Sequence, residues 1–230
     1  MPSLTEAVAV SAPGRLVGVT DWCTHPEGLA ARRIGGTKNP SVPQIVALRP
    51  DLVLANEEEN RLVDLAALQA AGLAVVVTHI RTIDQALSEL RLVLDRIGVQ
   101  PAWLDEAAQV WAPPYEGPRR TAVIPIWRRP WMAVGNDTFA GDLLGRLGID
   151  NVLGTSADRY PRVDPVALPK HDLVILPDEP YAFAADDGPE VFAAPSALVS
   201  GRHLTWYGPS LVAARTLLSE QLEELILPAT

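Results

Sequence analysis

The stretch IVALRPDLVLA, Ile45 to Ala55, decides the fold class. Val42, Ile45, Val46 and Leu48 fall at helical spacing, and DLVLA (51–55) is a short apolar run bounded by turn residues. A short helix therefore leads into a buried strand. The same alternation extends outward. RLVGVT (15–20) and LAVVVT (73–78) read as further buried strands. Leu62, Leu65 and Leu68 mark a second helix, closed by Gly72. After Thr82, Ile83, Leu87, Leu90, Leu94 and Ile97 form one apolar stripe that stops at Gly98. Strands alternating with helices imply a parallel sheet with right-handed crossovers.

Pro101 opens a helix through AWLDEAAQVWA, which ends at Pro113-Pro114. The pattern then restarts. TAVIPI (121–126), DLVILP (172–177) and ALVS (197–200) read as strands, Thr138 to Leu147 as a helix stopped by Gly148, and Pro209 to Leu227 as a closing amphipathic helix. The expected fold is α/β: two small lobes with mainly parallel sheets, joined by a single linking helix, with a ligand cleft between the lobes. The expected boundaries are 1–99 for the first lobe, 100–114 for the linking helix and 115–230 for the second lobe.

The net charge of −9 argues against nucleic acid and anionic membranes, which select a basic face. The lone Cys23 excludes an internal disulfide framework. No apolar run approaches the ~18 residues of a membrane span. The N-terminal MPSLTEAVAVSAPG has no charged start, apolar stretch and small-residue cleavage site, so the expectation from the chain as written is a cytoplasmic protein.

Ligands of open parallel sheets bind beyond the carboxyl ends of the strands. Those positions read DWCTH, NEEEN and THIR in the first half, and WRRPW, DEPY and GRHLTWY in the second. Four of the 6 tryptophans, Trp22, Trp127, Trp131 and Trp206, fall there. A single loop tryptophan more often caps its own core than touches a ligand, but four on strand-end loops favour an aromatic-lined site. The candidate ligand-binding residues are Trp22, His25, Asn56, Trp127, Arg128, Arg129, Trp131, Asp178, Tyr181, His203, Trp206 and Tyr207. Strand alternation lets one of Arg128 and Arg129 face the ligand and leaves the other solvated or paired with an acid. Glu57-Glu58-Glu59 reads as a solvated helix start. H-x-x-x-H, H-E-x-x-H, paired C-x-x-C, G-x-S-x-G, P-loop and G-x-G-x-x-G spacings do not occur, so no catalytic residue and no metal ligand is assigned. The competing reading is a cytoplasmic two-lobe enzyme, metal-dependent or not, acting on a small molecule.

The chain resembles the helical-backbone substrate-binding proteins of ABC importers, the group that captures cobalamin, haem and ferric siderophores. PSLTEAV (2–8), RLVGVTDWCTHP (15–26), IGGTKNPS (34–41), IVALRPDLVLA and TFAGDLLGRLGIDNV (138–152) carry the resemblance, with the cobalamin branch nearest. It implies a rigid, non-enzymatic, monomeric and extracytoplasmic binder without an intrinsic cofactor, partnered by an ABC permease. It also implies that Trp22 offers an aromatic to the corrin face, opposite Trp127, Trp131 and Trp206. The chain departs from the family in three ways. Met1-Pro2-Ser3 opens it without the strand that normally precedes this motif, the linking helix is shorter, and NPSVPQI lacks the glutamate with which the first lobe docks on the permease.

Overall fold

In the computed structural model, which describes residues 1–228, the first of two units comprises Met1–Ile80, Asp84–Glu106 and Tyr207–Pro209. Helix α1 (Pro2–Ser11) starts on proline, whose missing N–H costs nothing at that position, and buries Ser3 through Val8. Strand β1 (Gly18–Val19) pairs in parallel with β2 (Arg32–Arg33). Helix α2 (Val42–Leu48) ends at Arg49, which takes a left-handed conformation with φ of 50°. Strand β3 (Val53–Asn56), helix α3 (Leu62–Ala70) and strand β4 (Val75–Thr78) follow. β3 and β4 pair in parallel from Val53↔Val75 to Asn56↔Thr78. Helix α4 (Ile83–Arg96) turns Ile83, Leu90 and Leu94 of the expected stripe inward, while Leu87 and Ile97 are only half-buried and Ala86 and Val93 complete the buried face.

Two expectations for this unit are corrected. Only Gly18 and Val19 of RLVGVT are strand, and Val17 is exposed. Val53, Leu54 and Val75 to Val77 are half-buried, because β1–β2 and β3–β4 form two separate pairs and not one sheet.

The chain passes from the first unit to the second within helix α5 (Ala102–Trp111), after Glu106, one of several such crossings. The indole of Trp103 donates to Ser11 Oγ in the first unit (2.9 Å), and that of Trp111 to the Leu211 carbonyl in the second (2.9 Å).

The second unit comprises Arg81–Ile83, Ala107–Trp206 and the chain from Ser210 onward. Its elements are β5 (Arg120–Val123), β6 (Pro125–Arg128), β7 (Trp131–Ala133), α6 (Phe139–Gly145), β8 (Ile149–Asn151), β9 (Leu173–Pro177), β10 (Ser196–Val199), α7 (Gly201–Thr205), α8 (Leu211–Gln221) and β11 (Leu225–Ile226). One sheet runs β11-β10-β9-β5-β8, parallel except for the antiparallel edge strand β11. TAVIPI is therefore two strands. Pro125 has no N–H for the ladder, so the chain leaves the sheet there and forms the β6–β7 hairpin. The closing helix stops at Gln221 and not at Leu227. Glu223 and Glu224 would set two carboxylates against the negative end of the helix dipole, and Leu225 and Ile226 pair with β10 instead. No helix among the described residues is long and apolar enough to cross a membrane.

Candidate functional site

In the second unit the hairpin splits its two arginines. Arg128 points back to Asp187 and Glu190, which both bridge its guanidinium, and that guanidinium lies 5.5 Å from the centre of the Trp131 ring. Its side chain is 17% exposed. Burial alone would raise the Glu190 carboxyl, but N–H bonds from Gly188 and Glu190 and the pairing with Arg128 hold it below its usual range. Arg129 is exposed, and its guanidinium has no partner among the described residues. Its carbonyl accepts the indole N–H of Trp127 (3.2 Å), which fixes that ring on the surface with 43% of the residue exposed.

Trp131 packs inward. It stacks on Phe183 with centroids 5.8 Å apart and planes 9° apart, and meets Phe192 edge-on at 5.3 Å. Tyr181 bridges the two environments. Its ring meets Trp127 edge-on at 5.8 Å, and its hydroxyl donates to Asp187 (2.6 Å). Trp131 and Tyr181 thus pack against a hydrophobic cluster of Val174, Leu176, Phe183 and Phe192, and Trp127 meets it through Tyr181.

Beyond β9 and β10 the candidates are tied into the fold. Asp178 accepts the Gly201 N–H at the start of α7 (2.6 Å), and His203 shares a hydrogen bond with Ser200 Oγ (2.8 Å). Trp206 is buried, 5.9 Å from the Arg202 guanidinium. Glu179, the neighbour of Asp178 in DEPY, is the perturbed group of this region. Burial raises its carboxyl above the usual value, Asp178 adds to that, and the Trp206 side chain and Arg202 act against it. A Cβ on Gly201 would lie 2.5 Å from the Glu179 side chain, so glycine permits the close approach.

In the first unit Trp22 is 71% exposed on the loop after β1. The base of that loop is rigid. Arg33 donates to the Thr20 and Cys23 carbonyls (both 2.8 Å), and the wholly buried Cys23 thiol bonds Thr20 and Thr5 (both 3.1 Å). The Cys23 thiol is therefore a packing group and not an accessible nucleophile. His25 shares a hydrogen bond with Thr24 Oγ1 (3.0 Å). Asn56 is buried, and its amide group bonds Thr78 and the Glu58 N–H, tying β3 to β4. Tyr207 is buried and donates to Met1 Sδ (3.1 Å). The acidic run is not the expected helix start: Glu57, Glu58 and Glu59 form a half-buried turn ahead of α3, and Glu57 pairs with His79 (2.8 Å), a partner 22 residues away that no local pattern announces. Among the described residues no group of three His, Cys, Asp or Glu side chains could hold a metal ion.

An architecture of two α/β units with mainly parallel strands recurs among solved structures. The chain matches the periplasmic vitamin B12 binding protein BtuF of Vibrio cholerae with a TM-score of 0.75 and 16% identity, covering 97% of this chain and 94% of that one. It matches the periplasmic heme-binding protein RhuT of Roseiflexus sp. RS-1 with a TM-score of 0.74 and 20% identity over 96% and 95% of the two chains. It matches CeuE of Helicobacter pylori, in a nickel–histidine complex, with a TM-score of 0.78 and 13% identity over 96% and 81%. No family model matches. Identities this low establish a shared fold, that of periplasmic substrate-binding proteins, along nearly the whole chain.

Proposed function

We propose that the protein is a non-enzymatic binder of a bulky metal chelate, a corrinoid before a haem or a ferric siderophore, and that it serves an ABC importer. The observation that carries this reading is the pair of tryptophans held out to solvent, Trp22 on the loop after β1 and Trp127 on strand β6. Trp22 is 71% exposed and Trp127 is 43% exposed, each anchored from beneath by side-chain or backbone hydrogen bonds. A folded protein gains nothing by presenting large flat apolar surfaces to water, whereas a conjugated macrocycle buries against them at low entropy cost. The fold supports the same reading, since two of the proteins it matches are named for binding vitamin B12 and heme. The corrinoid comes first because Asp187 and Glu190 already engage Arg128, which leaves Arg129 as the one arginine of the hairpin open to an anionic ligand.

The proposed contacts in the second unit are Trp127, Tyr181 and Arg129, and the exposed Trp22 is a separate candidate contact of the first unit. A titration with cyanocobalamin and with haem tests this. Binding should quench tryptophan fluorescence and shift the ligand's absorption without turnover. Saturable quenching by haem alone would move the ligand to the anionic class and give Arg129 the pairing role. No binding of either, or of a ferric siderophore, would sink the reading.

A further inference from the structure

Beyond the carboxyl ends of β3 and β4, the first unit holds His79 in a state that the other histidines do not share. His79 follows Thr78, the last residue of β4, and its side chain is 59% exposed. Its Nδ1 lies 2.8 Å from Oε2 of Glu57, which follows Asn56 at the end of β3. A carboxylate can only accept, so the proton of the neutral ring sits on Nδ1 and the lone pair on Nε2. Among the described residues, none bonds that lone pair. The other 3 of the 4 histidines each lack part of this arrangement. His171 also donates from Nδ1, to the Pro169 carbonyl (2.7 Å), but its Nε2 is sealed from solvent. His25 and His203 share Nδ1 with the hydroxyls of Thr24 and Ser200, which donate or accept equally well and leave the tautomer open.

The anchor is itself held. The Glu57 N–H donates to the Thr78 carbonyl (3.1 Å), and the Asn56 side chain accepts the Glu58 N–H (3.0 Å), so carboxylate and ring are fixed to one strand pair. Hydrogen bonds continue from there across the edge of the unit. The Asn60 side chain accepts the Asn56 N–H (2.9 Å) and donates to the Thr37 carbonyl (3.0 Å). Two residues before Thr37, the Gly35 carbonyl accepts the N–H of Asp21 (3.0 Å), the neighbour of Trp22. The loops that carry His79 and Trp22 thus belong to one hydrogen-bonded rim. A carboxylate behind an imidazole fixes the ring and makes its far nitrogen a better metal ligand. One imidazole cannot hold a free ion, and among the described residues no group of three His, Cys, Asp or Glu side chains could do so. A metal that meets His79 must arrive with most of its positions already filled.

Resting on the metal-chelate reading above, we propose that His79 Nε2 is an axial ligand to the metal of a planar macrocycle that has an exchangeable axial position, and that Glu57 is its positioning residue. The step is a substitution. The bond from the metal to an axial water breaks, the water leaves intact, and the Nε2 lone pair forms the new bond. No proton moves and the metal keeps its oxidation state. Aquocobalamin and ferric haem share this chemistry. Cyanocobalamin, with cyanide in the axial position, and a ferric siderophore that fills every iron position do not offer it.

The test titrates the wild type and His79→Ala with aquocobalamin, cyanocobalamin and ferric haem. Tryptophan quenching reports binding, and the absorption of the ligand reports the axial bond. The wild type should bind aquocobalamin more tightly than cyanocobalamin by about tenfold or more, and should shift its spectrum to that of the imidazole adduct. His79→Ala should lose both the shift and the preference, and free imidazole should restore the shift. Glu57→Ala should weaken aquocobalamin about 10–100-fold, and Glu57→Gln, which keeps an acceptor for Nδ1, should weaken it less. An axial shift with ferric haem alone, lost in His79→Ala, would uphold the proposal and assign the metal as iron. Quenching without an axial shift from either ligand, or a shift that survives His79→Ala, would overturn the proposal and leave the binding reading standing. No quenching by any of the three ligands would overturn both.

Discussion

In the second unit Leu173, Val174, Ile175 and Leu176 of β9 are each no more than 1% exposed, between β10 and β5. In the first unit Val53, Leu54 and Val75 to Val77 are just as apolar, yet they are half-buried. Composition does not separate the two runs. What separates them is their neighbours. β9 is bonded on both edges, whereas β3 and β4 are bonded only to each other. The burial of a strand is thus a property of its sheet and not of its residues.

The strongest way to break that comparison is to truncate equivalent side chains. Ile175→Ala should cost about 2–5 kcal/mol, as for a fully buried aliphatic whose cavity cannot collapse. Val76→Ala should cost only about 1 kcal/mol, because the half-buried site has already lost part of its transfer energy to solvent. Urea unfolding of both variants provides the measurement. Equal losses would mean that β3–β4 is as well packed as the second sheet.

The ligand-facing half of the comparison predicts a smaller effect, on binding and not on folding. Trp22→Ala and Trp127→Ala should each weaken chelate binding by about 1–3 kcal/mol, as aromatic anchors do, with the unfolding midpoint unchanged. Trp206→Ala should do the reverse, since that ring is only 7% exposed. A variant of Trp22 or Trp127 that unfolds while its affinity persists would place that ring in the core.

These contrasts also mark how far the sequence could be read. The stripe of α4 and the apolar runs of β3, β4 and β9 were legible because burial on one face leaves a periodic imprint. Helix α1 was not, since it buries Ser3, Thr5 and Glu6 beside its apolar residues and so breaks the pattern. Strand β2 is two exposed arginines and has no strand signature at all. Its pairing is decided by β1. At the site, the clustering of aromatics in WRRPW could be read directly, but neither their elements nor their directions could, since Trp127 and Trp131 lie within strands β6 and β7 and not on strand-end loops. Trp127 and Trp131 lie four positions apart, yet one is fixed outward by the Arg129 carbonyl and the other is drawn inward by Phe183 and Phe192. The acid that claims Arg128 comes from Glu190, 62 residues away, and tertiary pairings of that range leave no local trace.

The two adjacent arginines sharpen the comparison within one hairpin. Arg128→Ala leaves Asp187 and Glu190 facing each other without their cation, and should destabilise the protein by about 1–2 kcal/mol. Arg129→Ala should change stability by less than about 0.5 kcal/mol, as for an unpartnered surface residue. Its effect belongs to the ligand: weaker binding of haem with cyanocobalamin untouched. Equal loss for both ligands would refute charge pairing by Arg129.

The smallest effect lies at Glu179, and its sign is fixed by the direction of the shift. Burial, reinforced by Asp178, raises this carboxyl in the folded protein above its usual value of 4.5. The fold therefore binds the proton more tightly than the unfolded chain does, and stability falls as pH rises from the unfolded value through the folded one. Above that window the wild type carries a partly desolvated carboxylate, whereas below it the group is neutral in both states. Glu179→Gln keeps the shape and removes the charge. It should raise the thermal midpoint by roughly 1–3 °C at neutral pH, a modest gain because the group retains contact with solvent. The gain should vanish below about pH 4, where the unfolded carboxyl is itself protonated. A gain that persists at low pH would assign the effect to packing against Trp206. A loss at neutral pH would mean that Arg202 and the Trp206 side chain favour the carboxylate more than burial opposes it.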